Sequence, residues 1–168
     1  MSIGSSKRGK LLIFWITGLF VLMLDQLSKR LVRETLPVGS ASPVIPGFFN
    51  LVHVENPGVA FSILADNPTL LTRLILILIA LIAVVVLNTV VARSGDNPGR
   101  GLLIPYGLIL GGALGNLYDR ITRGMVTDFL DFYIGDLHWP AFNLADGAIT
   151  VGAIFLIIAT IRTPGRPG

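Results

Sequence analysis

The chain has 168 residues, 52% of them hydrophobic and 14% charged, with a formal net charge of +3 and no cysteine. A soluble domain carries roughly a quarter charged residues, so this balance points to one integral membrane domain spanning 1–168. It excludes disulfides and thiol chemistry, and the Lys and Arg sit at segment ends rather than in the basic stripe a nucleic-acid binder needs.

Lys7, Arg8 and Lys10 precede the first apolar run, Leu11 to Leu31, which Asp25, Gln26, Lys29 and Arg30 interrupt near its end. No small-x-small cleavage site follows, so the run reads as an uncleaved anchor. Asp25-Gln-Leu-Ser-Lys29 sets an acid and a base on one helical face. Arg30 is expected to snorkel toward the headgroups.

Residues 35–69 carry five prolines and the apolar-rich Phe48 to Val54, expected as a short strand or two on the membrane surface. Asn56-Pro-Gly58 is a turn signal, and Ala60 to Ala65 is expected as a brief amphipathic helix. Leu70 to Val91 is the cleanest span, with Arg73 its one charge, and Gly101 to Tyr118 has none. About 20 apolar residues cross a bilayer, so the first three runs qualify; the fourth, Gly147 to Ile161, is borderline, with Phe142 to Ala145 adding apolar reach and the span taken as 146–162. Four spans put both termini on one side. Lys and Arg divide seven to six between the faces, but nine of ten acids lie opposite the termini, which favours cytoplasmic termini.

Within the third span Gly107, Gly111 and Gly115 recur every fourth residue, a stripe that lets another helix approach closely. Asn116-Leu-Tyr-Asp-Arg120 follows. Arg120 is expected either to pair with Asp119 at the surface or to brace Asp128 or a substrate carbonyl. The outer stretch 119–145 carries Val126-Thr-Asp-Phe129, with Asp131 and Asp136 expected to be solvated, and ends in Phe142-Asn-Leu-Ala-Asp146.

Asp128 and Asp146 each adjoin apolar sequence, where a charge is expensive. Asn143 and Asp146 have the spacing of a helix cap, and a cap alone would account for them. The same geometry places Asp146 at a positive helix end, suited to a base, while the apolar neighbours of Asp128 favour a protonated acid. Two carboxyls so divided are the groups of aspartyl-protease chemistry. Two other classes are compatible with the residues: a proton-coupled transporter using Asp25, Asp128 and Asp146, and a metal-dependent hydrolase using Asp128, Asp146 and His138. Internal repeats and ligand-spacing motifs, which those classes call for, are lacking.

Taken in order, Asp25-Gln-x-Ser-Lys29, Asn56-x-Gly-x-Ala-Phe61, Gly111-Gly-Ala-Leu-Gly-Asn-Leu-Tyr-Asp-Arg120, Val126-x-Asp-Phe129 and Phe142-Asn-x-Ala-Asp146 closely resemble lipoprotein signal peptidase, the bacterial signal peptidase II family. The resemblance implies a mainly α fold of four transmembrane helices, a small periplasmic β-cradle and a periplasmic lid helix. Phe48 to Val54 and Ala60 to Ala65 match those last two parts. It implies an inner-membrane aspartyl endopeptidase, a monomer without metal or other cofactor, acting near the periplasmic face on diacylglyceryl-modified prolipoproteins. The catalytic pair falls on Asp128 and Asp146. Asp25, Lys29, Asn56, Gly58, Asn116, Arg120 and Asn143 match positions that line or brace the site. Pro57, Val59 and Gly147 depart mildly from the family pattern.

Overall fold

The computed structural model describes residues 3–58, 70–94 and 102–162. The elements run α1 (Ile3–Thr35), β1 (Ala41–Ile45), β2 (Phe49–Asn56), α2 (Leu70–Arg93), α3 (Leu103–Thr122), β3 (Val126–Ile134), β4 (Leu137–His138) and α4 (Leu144–Arg162). The expected helix at Ala60 to Ala65 and most of the turn at 92–100 lie outside the described residues.

Among the described residues, three helices are long and apolar enough to cross a membrane: Gly9–Thr35 of α1, all of α2 and all of α4. Helix α3 is not among them, and its position explains why. It sits centrally, packed against α1, α2 and α4, and buries eleven residues, including Gly107, Gly111, Gly112, Gly115, Asn116 and Asp119. Its neighbours cover it, so it needs small and polar contact residues more than lipid-facing bulk.

The glycine stripe does the work its spacing suggests. A Cβ on Gly107 would strike Thr17 and Phe14, and one on Gly111 would strike the Gly18 carbonyl and Val21, all on α1. Gly112 faces another way, against the Ala145 carbonyl of α4. Helix α3 is thus clamped between the middle of α1 and the start of α4. It also continues past Tyr118, so Asp119 and Arg120 belong to its last turns rather than to an outer loop. Arg73, from the first turn of α2, closes that end by donating through Nε to the Arg120 carbonyl at 2.7 Å and through Nη2 to the Ile121 carbonyl at 3.0 Å.

The four strands form an antiparallel sheet in the order β1-β2-β3-β4. Strand β3 is the part not anticipated from sequence. It carries Asp128, and its inner half, Val126 to Phe129, is buried continuously rather than alternately. Residue Phe142 then pairs back onto β3: its carbonyl accepts from the Phe129 and Leu130 amides at 3.0 and 2.8 Å, and its own amide donates to the Leu130 carbonyl at 3.1 Å. Phe142 also stacks on Phe132, which stacks on Phe49, so one aromatic column ties the return segment to β2 and β3. This return delivers Asn143 and the start of α4 alongside Asp128.

Candidate active site

Asp128 sits on β3 opposite Val54, in the register that pairs Asn56 with Val126. Diagonal neighbours on one sheet face can touch, and Asn56 Nδ2 donates to Asp128 Oδ2 at 2.9 Å. The other oxygen, Oδ1, accepts from Asn143 Nδ2 at 2.6 Å. Asn56 is itself held by a turn: its Oδ1 accepts the Gly58 amide at 2.8 Å, with Gly58 at φ +105, a conformation that favours glycine.

Asp146 lies in the first turn of α4. Its amide donates to Asn143 Oδ1 at 3.1 Å, and the Asn143 amide points back at Asp146 Oδ2 at 3.4 Å, the reciprocal pattern of a capping box. Asn116 Nδ2, from α3, donates to Asp146 Oδ1 at 2.7 Å. The cap and the chemistry are therefore not rival readings of Asn143. One asparagine caps the helix and bridges the two aspartates.

Burial is the chief cause that pushes the Asp128 carboxyl up to about 6; the negative charge of Asp146 adds to it, against the amide bonds from Asn56 and Asn143 and the charge of Lys29. An unfolded Asp titrates near ~3.9, so the folded chain holds this proton more tightly. The resulting stabilisation is complete below about pH 4 and is lost as pH rises through about 6. Two units of difference correspond to about 3 kcal/mol for this 2% exposed side chain. We expect the unfolding free energy of the parent chain, relative to Asp128→Asn, to fall by about that amount between pH 4 and pH 8. A difference that stays flat with pH would contradict the burial effect.

Beneath the pair lies a charged cluster closed to solvent. Lys29 Nζ is 2.8 Å from Asp25 Oδ2 and 2.7 Å from Asp119 Oδ2, with all three side chains 0% exposed, and it donates to Asn116 Oδ1 at 3.0 Å. Gln26 Nε2 donates to both acids at 3.2 Å. Asp25 Oδ1 accepts the Ala145 amide at 3.0 Å, pinning the first turn of α4 to α1.

Asp119 was not singled out by sequence and is not paired with Arg120 at the surface. A signal for it did exist: it is the next term after Gly107, Gly111 and Gly115 on the stripe that faces α1. Arg120 donates through Nη1 to the Asn116 carbonyl at 3.2 Å and lies within electrostatic reach of Asp146 and Asp128. Its buried Nε has no hydrogen-bond partner among the described residues. Arg30 is exposed and pairs with Glu34.

Asp131 is not solvated. It is 7% exposed and held by Asn50 at 2.9 Å and by His138 at 2.8 Å, whose ring stacks on Tyr133. His138 is thereby committed away from Asp128 and Asp146. Among the described residues no group of three potential ligands is placed to hold a metal ion.

A family model described as signal peptidase (SPase) II matches residues 17–162. The chain belongs to the signal peptidase II family. That family makes it a protease, and its apolar helices make it a membrane protein. It is 44% identical to the lipoprotein signal peptidase of Syntrophus aciditrophicus (strain SB), over 90% of this chain and 94% of that one. It is 43% identical to that of Sulfurihydrogenibium sp. (strain YO3AOP1), over 88% and 90%. Two solved structures of bacterial membrane enzymes superpose with TM-scores of 0.75 and 0.76 at 28% and 29% identity. They cover 96% and 94% of the chain, and 95% of each solved chain is covered.

Proposed function

We propose that this chain is an aspartyl endopeptidase that removes the signal peptide from diacylglyceryl-modified prolipoproteins, cutting on the N-terminal side of the lipidated cysteine. Membership of the signal peptidase II family supports cleavage of lipoprotein signal peptides. The observation that carries the two-aspartate mechanism is the bridge made by Asn143, which donates to Asp128 and faces Asp146 from the same residue.

In this mechanism protonated Asp128 donates a hydrogen bond to the scissile carbonyl while Asp146 takes a proton from the attacking water. Oxygen–carbon bond formation gives a tetrahedral intermediate. Its collapse breaks the carbon–nitrogen bond, and the proton held by Asp146 passes to the leaving amine of the cysteine. Burial at Asp128 and the helix N-terminus at Asp146 support this division of roles. Arg120, with its unspent Nε–H, is the group best supplied to hold a substrate carbonyl or the developing oxyanion. No metal or organic cofactor takes part.

The topology that goes with this reading has 1–168 as one membrane domain, with α3 as a fourth span and both termini cytoplasmic in the bacterial inner membrane. The sheet and the aspartates then lie at the periplasmic side, and the enzyme works as a monomer. The diacylglyceryl chains rest against exposed apolar helix faces, leaving only the peptide to reach the polar pair.

The test is incubation of the purified protein with a diacylglyceryl-modified precursor and with its unlipidated counterpart. Release of the signal peptide from the first alone is expected, and it should persist in the presence of a chelator. Equal cleavage of both would remove lipid recognition, and loss of cleavage with the chelator would point to a metal-dependent hydrolase.

A further inference from the structure

An ammonium group removed from water is costly unless several acceptors receive it. Lys29 has three: Asp25, Asp119 and the side-chain oxygen of Asn116. The two acids would be enough to hold it in place. The third acceptor leads to the reaction site.

Asn116 Oδ1 receives Lys29 Nζ at 3.0 Å and Asn143 Nδ2 at 3.3 Å, both obligate donors in these contacts. The amide oxygen must therefore face inward, which leaves Nδ2 to face Asp146 Oδ1 at 2.7 Å. A full positive charge on the oxygen side also polarises the amide and strengthens the N–H it offers. Asp128 feels the charge of Lys29 across space, but its amide donors are Asn56 and Asn143 rather than the Asn116 amide that Lys29 grips.

We propose that Lys29 is a positioning residue that, through the Asn116 amide, selects Asp146 as the member of the pair that carries the negative charge. The inference rests on the two-aspartate reading above. It adds to that reading the reason why two chemically identical side chains take unequal roles. The charged groups around this network are Asp25 and Arg33 on its own helix, Asp119 and Arg120 on α3, Asp128 on β3 and Asp146 on α4. A change at Lys29 must accordingly keep the buried charge balanced.

The experiment compares Lys29→Met/Asp119→Asn, which removes one buried cation and one buried anion together, with Asp119→Asn alone as reference. Arg30→Gln, whose ion pair with Glu34 is exposed, is the neutral control. The double variant should melt below the reference, because Asp25 loses its buried cation, so turnover is read per folded molecule. Its kcat on a lipidated precursor should fall ~10- to 100-fold, with KM within about twofold. The acid limb of its kcat–pH profile should move up by about one unit, because the base now gives up its charge more readily as pH falls. Asn116→Ala, which leaves Lys29, Asp25 and Asp119 in place, should move the acid limb in the same direction.

An unmoved acid limb in Asn116→Ala overturns the proposal even if the double variant fails to fold. So does a double variant whose kcat and acid limb match the reference. Failure of the parent reading shows differently, as continued cleavage by Asp146→Asn.

Discussion

Asp128→Asn and Asp146→Asn each lower cleavage of a diacylglyceryl-modified precursor by at least ~10³-fold while the protein remains inserted and folded. The expectation of intact folding follows from shape. Each substitution is isosteric, and the packing around both carboxyls comes from β3, the Phe142 return and the cap of α4, none of which needs the charge. The expectation of lost turnover follows from proton inventory. An amide at 146 cannot take a proton from water, and an amide at 128 lacks the acidic O–H that polarises the scissile carbonyl. Pre-steady-state assays on purified protein, with thermal unfolding as the folding control, would measure both. Either variant retaining cleavage within tenfold of the parent would remove that residue from catalysis.

Asp25→Ala fails in a different way. It should remove folded protein rather than turnover by folded protein. Asp25 is 0% exposed and holds three donors at once: Lys29 at 2.8 Å, Gln26 at 3.2 Å and the Ala145 amide at 3.0 Å. Truncation leaves a buried ammonium with one carboxylate fewer, an amide in the first turn of α4 without its acceptor, and a void beside Gly115. Breaking a buried pair from one side costs about 3–5 kcal/mol, against a total stability of about 5–15 kcal/mol. Membrane-inserted, detergent-stable protein should therefore drop severalfold, with the survivors melting well below the parent. A variant as abundant and heat-resistant as the parent would show that α1 and α4 are joined by other means.

The two predictions separate the roles of acids that look alike in the sequence. Asp25 and Asp128 both interrupt apolar surroundings, but one is matched by a cation and the other by amides alone. That difference explains why Asp25 serves to join helices and why Asp128 is left to titrate where a proton can be used.

Much was legible in the chain itself because it depends on spacing along one element. Apolar runs of bilayer length, Asp25 and Lys29 one turn apart, the glycines every fourth residue, and an asparagine three residues before an aspartate at a helix start all follow from helix geometry. Asp119, Asp131 and strand β3 were not legible in this way because each depends on what lies across a contact. Asp119 looks like a surface acid until α3 is seen to continue through it with that face against α1. Asp131 looks solvated until β2 brings Asn50 and the hairpin brings His138. Strand β3 hides because the return of Phe142 and the helices bury its inner half on both faces, which removes the alternation that marks a half-exposed strand.

Local periodicity and apolar length by themselves determined that this chain enters a membrane as helices and carries acids where acids are expensive. Which acids meet was decided only in three dimensions. Residue 116 reaches 146 and residue 29 reaches 119 by helix packing, while residue 56 reaches 128 by strand register. Hydrogen bonds and ion pairs act over about 3 Å, and no regularity along a chain specifies which distant side chains will come that close.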